Sequence, residues 1–470
     1  MKRFVILFAA LATISSLSAK SAKSIEIYNY AEQVALSDCY SVTVEGKEVS
    51  VLKTDEPDLA IFGAEGQVKV KVTFLTGEPD SVAVRPIAKG YAYTLKKKTL
   101  TLTLRPGDRV SVEPNYSWSK PLFIFVNPLE ADAVKAAKND PNVIFYEAGK
   151  IHHIGHLPLG KTKNLYIQGG AVVEGYVDVR NREGGIELKG CGVLDGRPAD
   201  GVTFKKTNPI RIQNCPGVVL RDLTILNKDY WCTYFINCDN SSIENMHVVA
   251  TFSNLANGFG CENDGLDVCA SKHFTVKGCF IYCHDDAYCV KSSSKWWPSR
   301  LAEDIYFEDC IGWNVDSGNS FEIGHMLGGG VDNVRYLNIY AIHSGRRGKT
   351  TFHRAGISIH PSPGPFVKNV SYENVWVEDP LEHAVCFEVF VSPYKHLQKD
   401  WFAGYIENVT VKNLHVLKKS PLGNVVQGYD PEHKVSKVKF VNFYLEGKKV
   451  TSLEEGDFRK KENSESVIFE

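Results

Sequence analysis

Apolar residues return along this chain in short alternating bursts rather than in helical stripes. A six-residue pattern, apolar–x–Asn/Asp/Gly–apolar–x–apolar, occurs as LRDLTI at 220–225, IENMHV at 243–248, VKGCFI at 276–281 and FEDCIG at 307–312. It continues as YLNIYA at 336–341, YENVWV at 372–377, VKNLHV at 411–416 and FVNFYL at 440–445. Its third position holds Asp222, Asn245, Gly278, Asp309, Asn338, Asn374, Asn413 and Asn442. A second strand-like run accompanies each: PIRIQ, TYFIN, GLDVC, AYCVK, SFEIG, GISIH, VCFEV and NVVQG. Each unit reads as strand, turn, strand and a loop of variable length. Asn, Asp and Gly tolerate a left-handed backbone at a corner, and amides there can stack in ladders. Short alternating strands cannot bury their apolar faces alone. As coils of one stack they form parallel sheets around a continuous core. The predicted fold is all-β: a right-handed parallel β-helix, with the variable loops on one side for binding. A propeller or a sandwich fits worse, because the units lack a regular four-strand period of ~40 residues.

The first third follows another rhythm. VKVKVTF, YAYTL, TLTLTL and DRVSVEP alternate strictly, with EGK, TGEPD and RPGDR as turns. That pattern predicts a small antiparallel β-sandwich. PLEADAVKAAKND reads as a short helix and connector, after which NVIFYEAGKIHHIGHLPL and NLYIQGGAVVEGYV open the coils. The expected division is a leader at 1–19, a sandwich domain at 20–128 and a β-helix domain at 129–470.

The leader, MKRFVILFAALATISSLSA, has a basic start, a short apolar run and a small-residue end. This is the layout of a secretory signal peptide, too short for a comfortable membrane span. Export, to the periplasm or beyond the cell, is therefore expected, with no membrane span in the mature chain. Composition then narrows the partners. With 54 Lys+Arg against 55 Asp+Glu, there is no basic footprint for nucleic acid. Twelve Cys would permit disulfides in an exported protein. However, Cys191, Cys215, Cys238 and Cys261 recur at about the coil period and no CxxC pair occurs, so core thiols are expected rather than a zinc site.

Acidic residues concentrate on two adjacent coils. CENDGLDVC puts Asp264 just before one strand, and IYCHDDAYCV puts Asp285 and Asp286 just before the next. Aligning the strands sets Asp264 opposite Asp286, on strands ~4.8 Å apart. Like charges that close raise one another's proton affinity, giving a protonated acid beside an ionised base. Glycosidic cleavage needs that pairing. Asp267, an odd step from Asp264, is expected to face away and be structural.

These motifs resemble glycoside hydrolase family 28, the polygalacturonase family. CENDGLDV and HDDAYCVKS are similar to its Asn-Thr-Asp and Gly-Asp-Asp motifs, and the 21-residue step from Asp264 to Asp285 matches its spacing. The resemblance covers roughly 142–445. The front domain with PNVIFYEAGKIHHIGHLPL resembles family 49, the dextranase and isopullulanase group of the same clan. The resemblance implies an inverting hydrolase with Asp285 as general acid and Asp264 and Asp286 activating water. No cofactor and no metal are expected. Adjacent-coil stacking predicts carboxylates ~5 Å apart, whereas inverting pairs usually stand ~6.5–9.5 Å apart.

The chain also departs from the family pattern. Asn319 stands where the family's His-Gly motif has His, and Ser358-Ile359-His360 stands where Arg-Ile-Lys grips galacturonate. Arg346, Arg347, Lys349 and Arg354 on the preceding loop are possible replacements. Further candidates for holding substrate are Lys291 after the Asp-Asp strand, His284 beside the acid, and Glu322 and His325 on the next coil. Trp231, Trp296 and Trp297 are candidate stacking platforms for sugar rings. The expected partner is a polysaccharide or oligosaccharide, bound by a monomer. It is either of the pectin type, a uronate polymer, or a neutral α-linked glucan. A polysaccharide lyase and a non-catalytic glycan-binding β-helix are the competing readings.

Overall fold

A computed structural model describes residues 24–160, 162–197, 208–227, 230–251, 262–293, 297–314, 316–345, 354–392 and 402–470. The leader, Trp296, Arg346, Arg347 and Lys349 lie outside the described residues. No helix among the described residues is long and apolar enough to cross a membrane.

From Val143 onward the chain winds as a right-handed parallel β-helix, 29 strands joined in one hydrogen-bonded network. One sheet stacks Ile210–Gln213, Thr233–Ile236, Leu266–Cys269, Tyr288–Lys291, Phe321–Gly324, Ala355–His360, His383–Glu388 and Asn424–Gln427 in order. In the first four repeats the six-residue pattern joins two strands, its first two residues ending one and its last two beginning the next, as in Val218–Arg221 and Thr224–Asn227 around Asp222. In the last four a single strand runs through it: Val331–His343, Phe366–Val377, Tyr405–Val416 and Val435–Leu445. All eight third positions have positive φ, between 51° and 67°. Their side chains stack: Asn374 Nδ2 donates to Asn338 Oδ1 (2.9 Å), Asn413 to Asn374 (2.8 Å) and Asn442 to Asn413 (3.1 Å). A second ladder joins Asn237 to Asn214 and Asn214 to Asn181. Each ladder gives polar corner groups partners that the strands cannot supply.

Inward residues of all three sheets form one long core, in which eleven described Cys take no part as disulfides; ten are buried free thiols. Lined-up rings run through it, with Tyr288 stacked on Phe321 and Phe307 on Tyr336 and then Tyr372.

The N-terminal region is a sandwich of a six-stranded and a five-stranded sheet. It is antiparallel except where Leu122–Asn127 pairs in parallel with Asp58–Ala64. Those two strands are buried along both faces. Ala60, Phe62, Leu122 and Ile124 fill the sandwich core, while Leu59, Ile61, Phe123 and Phe125 pack onto the third sheet of the helix. Phe123 lies 4.8 Å from Phe280 and 5.4 Å from Trp313, and Phe125 stacks on His247 at 4.0 Å. Arg85 adds ion pairs to Glu113 within the sandwich and to Glu378 of the helix.

Candidate active site

Asp264, Asp286 and Asn319 each stand two residues before a strand of the first sheet, and the register Leu266–Tyr288–Phe321 puts them on consecutive rungs. The backbone closes this corner: Gly265 N–H donates to Asp286 O (2.8 Å) and Ala287 N–H to Asn319 O (2.8 Å). Asp286 Oδ1 accepts from Asn319 N (2.7 Å) and Nδ2 (3.1 Å). Two N–H donors on one oxygen suit an acceptor, so Asn319 orients Asp286. Asp285 Oδ1 accepts from Asp286 N (3.0 Å), and its carbonyl accepts from Asn314 Nδ2. Burial first, and the Asp286 charge second, hold the Asp285 carboxyl well above the usual carboxylate range, against the pull of Lys291 and Arg354. Gly318 makes this packing possible. At φ +78°, a Cβ there would lie 2.5 Å from Asp285 Oδ1 and 2.6 Å from Asp286 Oδ1.

Lys291 is buried and donates to Asp264 Oδ2 (3.0 Å), to Asp267 Oδ1 and to Cys289 Sγ (3.0 Å). Burial alone would lower its pKa, but Asp267, Cys289 and Asp264 together raise it well above the ordinary value. Asp264 is raised chiefly by burial, opposed by Lys291, with Asp267, Asp285 and Asp286 adding to it. Burial pushes Asp267 up to about 6, also opposed by Lys291. Asp267 thus shares a cation with Asp264 instead of facing away. Asp264 lies two residues before the strand Leu266–Cys269, so alternation along the strand does not set its direction. Asp267 is a site residue that simple counting misses.

Arg354 reaches Glu382 Oε1 (3.3 Å) and Ser317 Oγ (3.4 Å) and acts on Asp285 through its charge. His284 turns away from the carboxylates, its Nε2 lying 2.9 Å from Glu56 Oε2 of the sandwich, while its N–H donates to Asn263 Oδ1. Tyr282 hydroxyl donates to the same Glu56 oxygen (2.8 Å). Trp231 and Trp297 are both buried in an apolar cluster with Ile236, Cys269, Ala270 and Met326. Lys291 Nζ lies 4.5 Å from the Trp231 ring centre, so that ring contributes a cation–π contact to the site.

One rung beyond Asp286, Glu322 pairs with His360 (Oε1 to Nδ1, 2.9 Å) and accepts from Ser358 Oγ. Burial presses the His360 pKa down, but Glu322 outweighs it and the net shift is upward. Burial takes His325 down to about 4. The strand expected from the resemblance to carry Arg and Lys therefore carries Ser358 and His360, beside the buried carboxylates Glu322 and Glu388. Donor atoms of Glu322, His325 and His360 all lie within 4.8 Å of one another, a grouping that could hold a metal ion and that reading the residues singly does not reveal.

Residues 161–455 match glycosyl hydrolases family 28. Over 227 residues the chain is 24% identical to a polygalacturonase of Chamaecyparis obtusa, covering 48% of this chain and 40% of that protein. Over 248 residues it is 24% identical to a polygalacturonase of Juniperus ashei, covering 49% and 44%. The chain thus spans less than half the length of these curated relatives. In architecture it is similar to Dex49A from Penicillium minioluteum, with a TM-score of 0.61 and 13% identity over 94% of this chain and 96% of that one. The match spans residues 161–455, more than half of the chain, which therefore belongs to glycosyl hydrolases family 28.

Proposed function

We propose that this is an exported polysaccharide hydrolase that cleaves α-glycosidic bonds with inversion. Asp285 is the general acid, protonating the leaving oxygen, while Asp264 and Asp286 activate the attacking water. The observation that carries this reading is the contrast within one dipeptide. Burial and its neighbour's charge raise the Asp285 carboxyl well above the usual carboxylate range, whereas Asp286 is presented as an acceptor by two donors from Asn319. Lys291 is bound to two carboxylates and its proton is held tightly, which makes it a poor base for lyase chemistry.

The substrate we favour is a neutral α-linked glycan rather than a uronate polymer. Paired cations are the usual means of gripping a sugar carboxylate. Here the described cations beside the triad, Lys291 and Arg354, are already paired with Asp264, Asp267 and Glu382. Incubation with dextran, pullulan, polygalacturonan and rhamnogalacturonan, followed by a reducing-end assay, tests this. Release is expected from a neutral glucan; polygalacturonan as the best substrate would overturn the preference.

A further inference from the structure

We propose that Glu322, His325 and His360 form a binding site for one divalent transition metal of the zinc class. The three side chains come from adjacent rungs, Glu322 and His325 bracketing Gly324 and His360 paired directly with Gly324 in register. Their donor atoms already lie within 4.8 Å of one another. A carboxylate with two imidazoles is a donor set suited to zinc and its neighbours, and three protein ligands leave a fourth position for water or a sugar hydroxyl.

Three features go beyond proximity. Ligating groups in such sites are oriented by partners behind them. Glu322 Oε2 accepts from Ser358 Oγ, and His360 Nε2 lies 3.3 Å from Cys386 Sγ, so each has its far atom engaged and its near atom turned inward. Gly324, at φ +150°, gives up the space into which Glu322 Oε1 folds, so a side chain there would displace the carboxylate. Phe390 then covers the imidazoles edge-on, 5.4 Å from the His325 ring and 5.3 Å from the His360 ring. Glu322 and His360 are fully buried and His325 half-buried, so the ion would be approached past His325. This site is independent of the assignment of Asp285.

The test is titration of the chelator-treated full chain with ZnCl2 by calorimetry, with Co(II) absorbance reporting the coordination sphere. Wild-type protein should take up one ion per chain, with Co(II) bands in the visible region. His325→Ala and His360→Gln should each weaken uptake at least tenfold, and Asp285→Asn should leave it unchanged. His325→Ala carries the test if His360→Gln fails to fold, as judged by circular dichroism. Absence of stoichiometric uptake would overturn the proposal. So would uptake that survives at full strength in His325→Ala, which would point to the exposed His153 and His156.

Discussion

Glu56, on the sandwich, lies 2.9 Å from Nε2 of His284, the residue immediately before Asp285. It also accepts the Tyr282 hydroxyl, so one carboxylate from outside the β-helix fixes the strand end that presents the acid. In the proposed mechanism Glu56 is a positioning residue. Glu56→Ala is expected to lower kcat on the order of tenfold, with KM little changed, because small misplacements of a reacting group are costly. Glu56→Gln, which keeps an acceptor oxygen, should recover part of the rate. Steady-state kinetics on both variants checks this; equal loss of kcat and KM effects in the two would argue against it.

Asp285→Asn should reduce kcat by about 10²–10⁴-fold, the usual worth of general acid catalysis. The same variant should melt at a higher temperature at neutral pH. Folding raises the Asp285 pKa, so its contribution to stability is complete below the unfolded value of ~3.9 and is lost as pH rises through the folded value. An amide cannot ionise and escapes that loss. Calorimetry at pH 7 reads the shift; an unchanged or lower Tm would count against a protonated Asp285.

The pH profile follows from the same group. In the proposed mechanism Asp285 must be protonated and a water-activating carboxylate ionised, so activity falls at both ends of the pH range, and its alkaline limb follows the folded pKa of Asp285. The descending limb of kcat should lie well above ~3.9, and it should vanish from the residual activity of Asp285→Asn.

Gly318→Ala is expected to abolish most activity while sparing the fold. It places a methyl against both carboxylates and strains a left-handed residue by about 1–2 kcal/mol. Denaturant melts and reducing-end assays separate the two effects.

Asn374→Ala removes a rung of the corner ladder. It loses bonds to Asn338 and Asn413, at about 1 kcal/mol each, and sits at φ 56° without an amide to compensate. A loss of about 2–4 kcal/mol in urea unfolding is expected. Asn374→Gly, free of the backbone strain, should cost less.

The coils were readable because their corner residues are chemically constrained: eight positions that need a left-handed backbone all carry Asn, Asp or Gly. The ladder Asn181–Asn214–Asn237 went unseen, since its residues fall outside the apolar framing of the six-residue pattern. Asp264 and Asp286 could be aligned because both immediately precede a strand and strands stack in register. Asp267 was misplaced because period-two counting holds only inside the strand. Glu56 is 228 residues from His284, and no local pattern links them. Trp231 and Trp297 look like surface platforms in sequence, yet the fold turns both into a buried cluster.

The doubly buried strands Asp58–Ala64 and Leu122–Asn127 have a consequence for how the molecule comes apart. Cutting the chain between sandwich and helix would bare Leu59, Ile61, Phe123 and Phe125 on one fragment and Phe280, Tyr282, Ile311 and Trp313 on the other. Each fragment would carry an apolar face prone to aggregation. The two parts should therefore share one calorimetric transition, and the chain should fold and unfold as a single cooperative body.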